Sequence, residues 1–276
     1  IRDSNEVMGA EKKKENLKDI FSVFRDFRNY LGEAYLQFGE PINLNALLKE
    51  YPLSDYSSEK DWLFKVTPVL GKKIMTTIND STVVTSTALF SLAILNSDGF
   101  SISNRELVSR IELLKSLLVE DKYSAKTLIC EKTGEEIIDQ MRKLGFLSKE
   151  DINDRISLTN LEAAKLSFYR NNISHLLIFE SLICGFFQYQ KEIVKEDLLQ
   201  SIKMIYPFLK EEFFLKWDEA DLDQLINLKL NKLINKNLIL EDSNVYKRPD
   251  FKSREFYETQ SLGKLVQPSI DRFYVL

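Results

Sequence analysis

Apolar residues recur at helical spacing along most of this chain, and residues that break helices are scarce. Only 9 glycines and 6 prolines occur among 276 residues. Spacings of three and four residues between apolar side chains predict amphipathic helices, as at Leu44, Leu47 and Leu48. A longer segment of the same kind spans residues 66–96. These features predict a mainly α fold with few strands.

Two stretches of the sequence repeat one order of elements. In the first stretch, Ser103 is a predicted N-cap with Glu106 at the capping-box position. Each stretch has two predicted helices (103–118 and 134–144, then 193–206 and 222–235) and two short apolar runs (146–147 and 156–158, then 238–240 and 245–246). Helices followed by a small hairpin outline a winged helix, so the pattern predicts winged-helix-like units in the helical region.

One strand is predicted ahead of the helices, over residues 35–42. Tyr35, Leu36 and Phe38 favour a strand, and the turn formers Gly39 and Pro41 end it. A lone strand leaves its backbone groups unpaired, so its partners are expected in a segment that precedes this chain. We therefore predict that residues 1–48 are the C-terminal edge of an α/β domain, including its last strand. Residues 49–276 are predicted to form a helical C-terminal domain, cut short at its end.

Charge and composition argue against several classes of function. The formal net charge of -4 gives no electrostatic reason to expect a nucleic-acid partner. The sequence contains no run of about 18 apolar residues, so no membrane-spanning helix is predicted. Cys130 and Cys184 lack metal-ligand spacing and are expected to be reduced thiols. A basic, amphipathic stretch over residues 12–28 is compatible with a solvated surface, or with contact to anionic lipid or a phosphate substrate.

The sequence offers few groups for catalysis. His175 is the only histidine, so no Ser-His-Asp or Cys-His arrangement can be built around a second one. Neither a metal cluster nor a cofactor motif is found in the sequence. Glu180 follows His175 by five residues, a rotation of about 140° on an ideal helix, so the two side chains would not share a face. We expect His175 to be a structural histidine. Arg170 and His175 are the candidates for substrate binding, with Arg170 as a possible phosphate ligand, and no catalytic residue is assigned.

Four segments resemble the C-terminal half of the bacterial membrane-type glycerol-3-phosphate 1-O-acyltransferases. Residues 35–42 resemble that family's strand ending in Phe-Gly-Glu-Pro, and residues 12–17 resemble its preceding Lys/Glu-rich segment. Residues 169–175, Tyr-Arg-Asn-Asn-Ile-Ser-His, are similar to its Tyr-Arg-Asn-Asn-Ile-x-His run. Residues 205–215 are similar to its run with Tyr-Pro-Phe-Leu-Lys-Glu-Glu. The segments occur in the same order and at similar spacing.

The resemblance implies transfer of a fatty acyl group from acyl-CoA or acyl-carrier protein to the first position of glycerol 3-phosphate, in phospholipid synthesis. In that family a His-x4-Asp motif upstream of this region supplies the general base. No catalytic residue carries over to this chain, so it is expected to be inactive alone and to need no cofactor. The resemblance also implies peripheral binding to phospholipid on the cytoplasmic face of the bacterial inner membrane. The alternative is a helical, winged-helix protein-interaction module without enzymatic activity.

Overall fold

Helices make up most of this computed structural model, which describes residues 32–147 and 154–275. The helices are α1 (Leu44–Glu50), α2 (Glu59–Asp80), α3 (Ser86–Leu95), α4 (Asn104–Glu120), α5 (Gly134–Lys143), α6 (Asn160–Ile173), α7 (Ile178–Phe186), α8 (Lys195–Phe213), α9 (Leu222–Asn235), α10 (Arg254–Gly263) and α11 (Gln267–Val275). The strands are β1 (Val83–Val84), β2 (Ser101–Ser103), β3 (Leu128–Ile129), β4 (Arg155–Ser157), β5 (Glu192–Val194), β6 (Leu240–Asp242) and β7 (Val245–Lys247). The predicted mainly α fold is confirmed.

The chain forms two compact units, each assembled from separate stretches of sequence. The described part of the first unit comprises residues 32–35, 84–120, 129–147 and 154–173. The described part of the second unit comprises residues 36–83, 121–128 and 174–275.

The first unit has the element order of a winged helix: α3, β2, α4, α5 and β4. Strands β2 and β4 pair antiparallel, with Ile102 opposite Ile156. Helix α3 is apolar on all sides and its side chains are almost all buried, because α4, α5 and α6 pack around it. Ser103 Oγ accepts a hydrogen bond from the backbone N–H of Glu106 at 3.2 Å, so Ser103 caps α4 as predicted.

The second unit repeats this order with α7, β5, α8, α9, β6 and β7. Its three strands are arranged β5-β7-β6, and both pairs are antiparallel. Helix α7 is the buried central helix here, and α8, α9 and α10 pack against it. In each unit, therefore, the helix that follows the strands packs on the first helix of the winged-helix segment. The predicted repeat and the winged-helix-like outline agree with this topology.

The third helix of each winged-helix segment ends in the same way. After α5, Gly145 adopts φ +75°, and the N–H of Phe146 donates to Met141 O at 3.0 Å. After α9, Asn237 adopts φ +56°, and the N–H of Leu238 donates to Leu233 O at 2.9 Å. Glycine and asparagine tolerate this left-handed conformation, which satisfies the last helical carbonyls and turns the chain towards the strands.

Four local predictions differ from the structure. The hairpin predicted in the first unit from residues 146–147 and 156–158 is wrong, because residues 146–147 belong to no strand and residues 156–157 pair with β2. Residues 35–42 belong to no strand, because no described segment provides a ladder for them. The segment 66–96 is two helices rather than one: Thr85 caps α3, and β1 interrupts the segment where Thr82 O accepts from the N–H of Leu128 at 3.1 Å. The helix predicted from residue 193 begins at Lys195, since residues 192–194 form β5.

The domain boundary at residue 48 stays a prediction, and the basic stretch over residues 12–28 lies outside the described residues. Among the helices described, none combines the length and the apolar character that crossing a bilayer would require.

Candidate functional site

His175 lies in the interior of the second unit. It belongs to a single 3-10 turn, Ser174–Leu177, that precedes α7, and it is 5% exposed. Its Nε2 lies 3.3 Å from Thr82 Oγ1 and 3.4 Å from Asn79 O. A carbonyl oxygen only accepts hydrogen bonds, so Nε2 carries the proton and donates it at the C-terminal end of α2.

Aromatic and charged groups surround this histidine. Tyr123 packs edge-on against His175, with ring centroids 5.1 Å apart, and against Trp217, at 4.9 Å. Lys216 Nζ lies 4.3 Å from the centroid of the Tyr123 ring and 2.8 Å from Asp80 Oδ1. Cation–π contact and ion pairing therefore hold Lys216 in place. This His175 cluster joins the end of α2 to the start of α7 and the segment after α8.

Burial sets the protonation state of the cluster. It lowers the pKa of His175 to about 4, since an imidazolium would lose its hydration there. It also raises the pKa of the Tyr123 hydroxyl well above its usual range. At neutral pH both groups are uncharged and away from solvent. A general base must reach the proton that it removes, so this geometry supports a structural role for His175.

Glu180 belongs to a different group from His175. Its Oε1 lies 3.2 Å from Lys229 Nζ and 2.5 Å from Lys232 Nζ, and Lys229 also pairs with Asp121. Burial alone would raise the pKa of Glu180, but the two ammonium groups lower it below its ordinary value. The carboxylate is therefore ionised and compensated within the second unit. The apparent His-x4-acid pattern has no chemical meaning here.

Sequence reasoning missed this buried ion network. Lys229 and Lys232 alternate with Leu225, Leu230 and Leu233 on the buried side of α9. Charged residues at positions of an apolar stripe are the signal that could have revealed it, because such residues are buried only when they are paired.

Arg170 lies near the end of α6, in the first unit, whereas His175 belongs to the second. Its guanidinium lies 3.3 Å from Oδ1 of the adjacent Asn171, and the side chain is partly exposed. This contact joins two neighbouring side chains at the end of the helix. The phosphate-binding role of Arg170 stays a prediction.

The two thiols have no metal-binding partners among the described residues, where no cluster of three His, Cys, Asp or Glu side chains was found. Cys130 Sγ lies 3.2 Å from Ser86 Oγ. Cys184 is fully buried, and burial raises the pKa of its thiol far above its usual value. Cys184 is therefore a core residue rather than a nucleophile.

The third helices of the winged-helix segments, which correspond to the recognition helix of winged helices that bind DNA, are not basic. On α5 the exposed side includes Glu135, Glu136 and Asp139. On α9 it includes Asp223 and Asn227. Carboxylates on such a surface repel phosphates, which argues against nucleic acid and leaves protein partners open.

An apolar groove of about 200 Å³ lies on the second unit, lined by Leu182, Phe186, Tyr189, Ile205 and Ile270. A cavity of ~150 Å³ holds a benzene-sized group, so this groove suits only a small apolar group. None of the candidate residues lines it.

The sequence matches one protein family over residues 4–276, described as the glycerol-3-phosphate acyltransferase C-terminal region. Curated proteins named glycerol-3-phosphate acyltransferase are similar along 98% of the chain. The identity is 30% over 278 residues for the protein of Pseudomonas putida (strain GB-1) and 30% for that of Pseudomonas entomophila (strain L48). It is 28% over 279 residues for that of Pseudomonas aeruginosa (strain LESB58). The chain spans 33–34% of the length of these relatives.

Proposed function

This chain belongs to the glycerol-3-phosphate acyltransferase C-terminal region family, and on that premise we propose that it is the helical C-terminal part of an acyltransferase. The complete enzyme would transfer a fatty acyl group from acyl-CoA or acyl-carrier protein to the first hydroxyl of glycerol 3-phosphate. The relatives' shared name and the match over residues 4–276 support this proposal. The product, 1-acyl-glycerol 3-phosphate, would enter phospholipid synthesis.

Within this enzyme, the chain's own role would be structural. One observation carries that view: the only histidine of the chain is buried, uncharged and engaged by Asn79 and Thr82. The acylation chemistry needs a base that reaches the glycerol hydroxyl, and this chain has no accessible imidazole to provide it. The catalytic base would therefore be supplied by another part of the protein.

We further propose that the complete enzyme binds the cytoplasmic face of the bacterial inner membrane as a peripheral protein. A long-chain product with one acyl chain partitions into bilayers, so synthesis at the lipid surface would avoid carrying it through water. The basic stretch over residues 12–28 is the proposed contact with anionic phospholipid. Flotation of the complete protein with anionic and neutral vesicles tests this, since equal binding to both would remove the electrostatic contact.

The test of the function is acyl transfer to radiolabelled glycerol 3-phosphate, with acyl-CoA and acyl-carrier protein offered as donors in parallel. The protein translated from the complete reading frame should be active, and residues 1–276 alone should be inactive. His175→Gln in the complete protein should keep kcat when rates are expressed per folded enzyme. Absence of transfer by the complete protein, with membranes supplied, would exclude the acyltransferase assignment.

The second candidate function is a protein-interaction module without enzymatic activity. The acidic and neutral exposed surfaces of α5 and α9 favour it, because they lack the basic charge that DNA binding needs and the fold is not tied to one function. Inactivity of the complete protein would leave this module as the better account of the two winged-helix segments.

A further inference from the structure

Helix α2 exposes an apolar stripe to solvent. Leu63, Phe64, Ile74 and Ile78 are all exposed, and their positions fall within an arc of about 100° on an ideal helix. Of its 22 residues only Val66 and Asn79 are buried. An amphipathic helix normally buries its apolar side against a core, so α2 lacks the packing that would stabilise it.

A glycine lies within the same stripe. Gly71 is in the interior of α2, at the angular position between Ile78 and Phe64, and a Cβ placed on it would meet no atom within 4 Å. Glycine inside a helix costs ~0.5–1 kcal/mol relative to alanine. No neighbouring atom of the second unit requires position 71 to lack a side chain. A gap of this kind permits the close approach of another protein segment.

The extended segment before α1 continues this exposed surface. Leu36 and Phe38 are 83% and 79% exposed, and the backbone around them belongs to no helix or strand. Gly39 lies against the C-terminal end of α2, where a side chain would overlap Thr77. We call the surface formed by Leu36, Phe38, Leu63, Phe64, Ile74 and Ile78 the docking face.

We propose that the docking face packs against the part of the same polypeptide that precedes this chain in the complete protein. The chain spans 33–34% of the length of its relatives, and the family is described as the C-terminal region, so most of the relatives' remaining length comes earlier. The docking face lies in residues 36–78, close in sequence to that missing part. The proposal rests on this assignment as a C-terminal part and is independent of the acyl-transfer chemistry.

A protein surface suits the docking face better than a lipid surface. The extended backbone at Leu36 and Phe38 has no ladder partner among the described residues, and burying N–H and C=O groups in an apolar phase without partners costs free energy. A protein segment can pair them by adding its own backbone alongside. Lipid is fluid and gains nothing from the gap at Gly71, whereas a packed protein segment fills it.

Photo-crosslinking in the complete protein tests the proposal. A benzophenone side chain is incorporated in place of Phe64, and in a second sample in place of Ile78. The matched control replaces Met204, which is 82% exposed on α8. Mass spectrometry of the digested, monomeric product should find crosslinks from positions 64 and 78 to peptides that precede this chain, about tenfold above position 204. Gly71→Leu should reduce them by a similar factor while the protein stays folded by circular dichroism.

Three results would overturn the docking face: crosslinks between two copies at twice the monomer mass, adducts to lipid alone, or yields equal to those at Met204. Acyl transfer is assayed on the same samples before irradiation. An inactive protein with the intramolecular crosslinks would keep the docking face and remove the proposed function. An active protein without the intramolecular crosslinks would keep the proposed function and remove the docking face.

Discussion

Glu180 and Lys232 form an ion pair in the interior of the second unit: 2.5 Å separates Lys232 Nζ from Glu180 Oε1, and both side chains are less than a tenth exposed. Lys229 Nζ lies 3.2 Å from the same oxygen, so two ammonium groups of α9 share one carboxylate of α7. Such a network contributes little net stability but is costly to break, since each charge has lost its hydration.

We predict that Glu180→Gln destabilises the protein by about 3 kcal/mol, because two buried ammonium groups lose the carboxylate that they share and Lys229 keeps only its pair with Asp121. The triple variant Glu180→Leu, Lys229→Met and Lys232→Met should recover most of that loss, since apolar side chains of similar size need no compensation and Asp121, which loses Lys229, is partly exposed to water. Urea denaturation measures both. A triple variant as unstable as the single one would mean that the loss comes from packing rather than from charge.

The stability of the protein should fall between pH 6.5 and pH 4.5 because of His175. Its pKa in the folded state, about 4, lies below its ordinary value of 6.5. The unfolded chain therefore binds a proton first as the pH falls. The stabilising contribution is complete above pH 6.5 and is lost progressively down to about pH 4, which amounts to ~2.5 kcal/mol by pH 4.5.

Because the chain has a single histidine, the His175→Gln variant is the matched control. Its unfolding free energy should change much less over the same interval, because ordinary carboxylates, with pKa values near 4, begin to bind protons only towards its lower end. Parallel pH profiles for the two proteins would show that His175 is not the group responsible.

The packing of α10 on α7 depends on the absence of a side chain at Gly263. A Cβ there would lie 2.9 Å from the backbone N of Gly185 and 3.0 Å from the carbonyl carbon of Cys184. Backbone atoms cannot move aside cheaply, so Gly263→Ala should cost ~1–3 kcal/mol. Gly185→Ala is the control: its Cβ would meet only contacts of 3.7 Å and longer. Thermal denaturation should show a loss for the first variant alone.

Gly71→Ala should stabilise residues 1–276 by ~0.5–1 kcal/mol, because the new methyl group meets open space while alanine favours the helix. Gly134→Ala provides the contrast, since its Cβ would lie 3.0 Å from the carbonyl oxygen of Val108. Thermal denaturation of the two variants side by side decides the matter. A loss of stability in Gly71→Ala would reveal a contact at this position that the structure lacks.

The elements that local chemistry specifies were predictable from the sequence. Ser103 with Glu106 marks the start of α4, and Gly145 marks the end of α5, because a cap or a left-handed residue satisfies backbone groups of its own helix. The hairpin predicted from residues 238–240 and 245–246 was also recognisable, since a short connection joins its strands, although β6 begins only at Leu240.

The elements that depend on distant partners were not predictable. Residues 83–84 were predicted as helix and form β1 because residues 128–129 pair with them. The surroundings of His175 likewise come from Asn79, Tyr123 and Trp217, which lie far from it in sequence. No local pattern encodes that the only histidine is enclosed by these groups.

The division of the chain into two interleaved units bears on how this protein can be cut. The chain passes between the units after residues 35, 83, 120, 128 and 173. Dividing the chain at any position from residue 37 to residue 172 therefore splits at least one unit between the two fragments, and neither fragment contains a complete unit. Shorter expression fragments chosen by counting winged-helix segments would be incomplete, so the two repeated segments should be produced together on one chain.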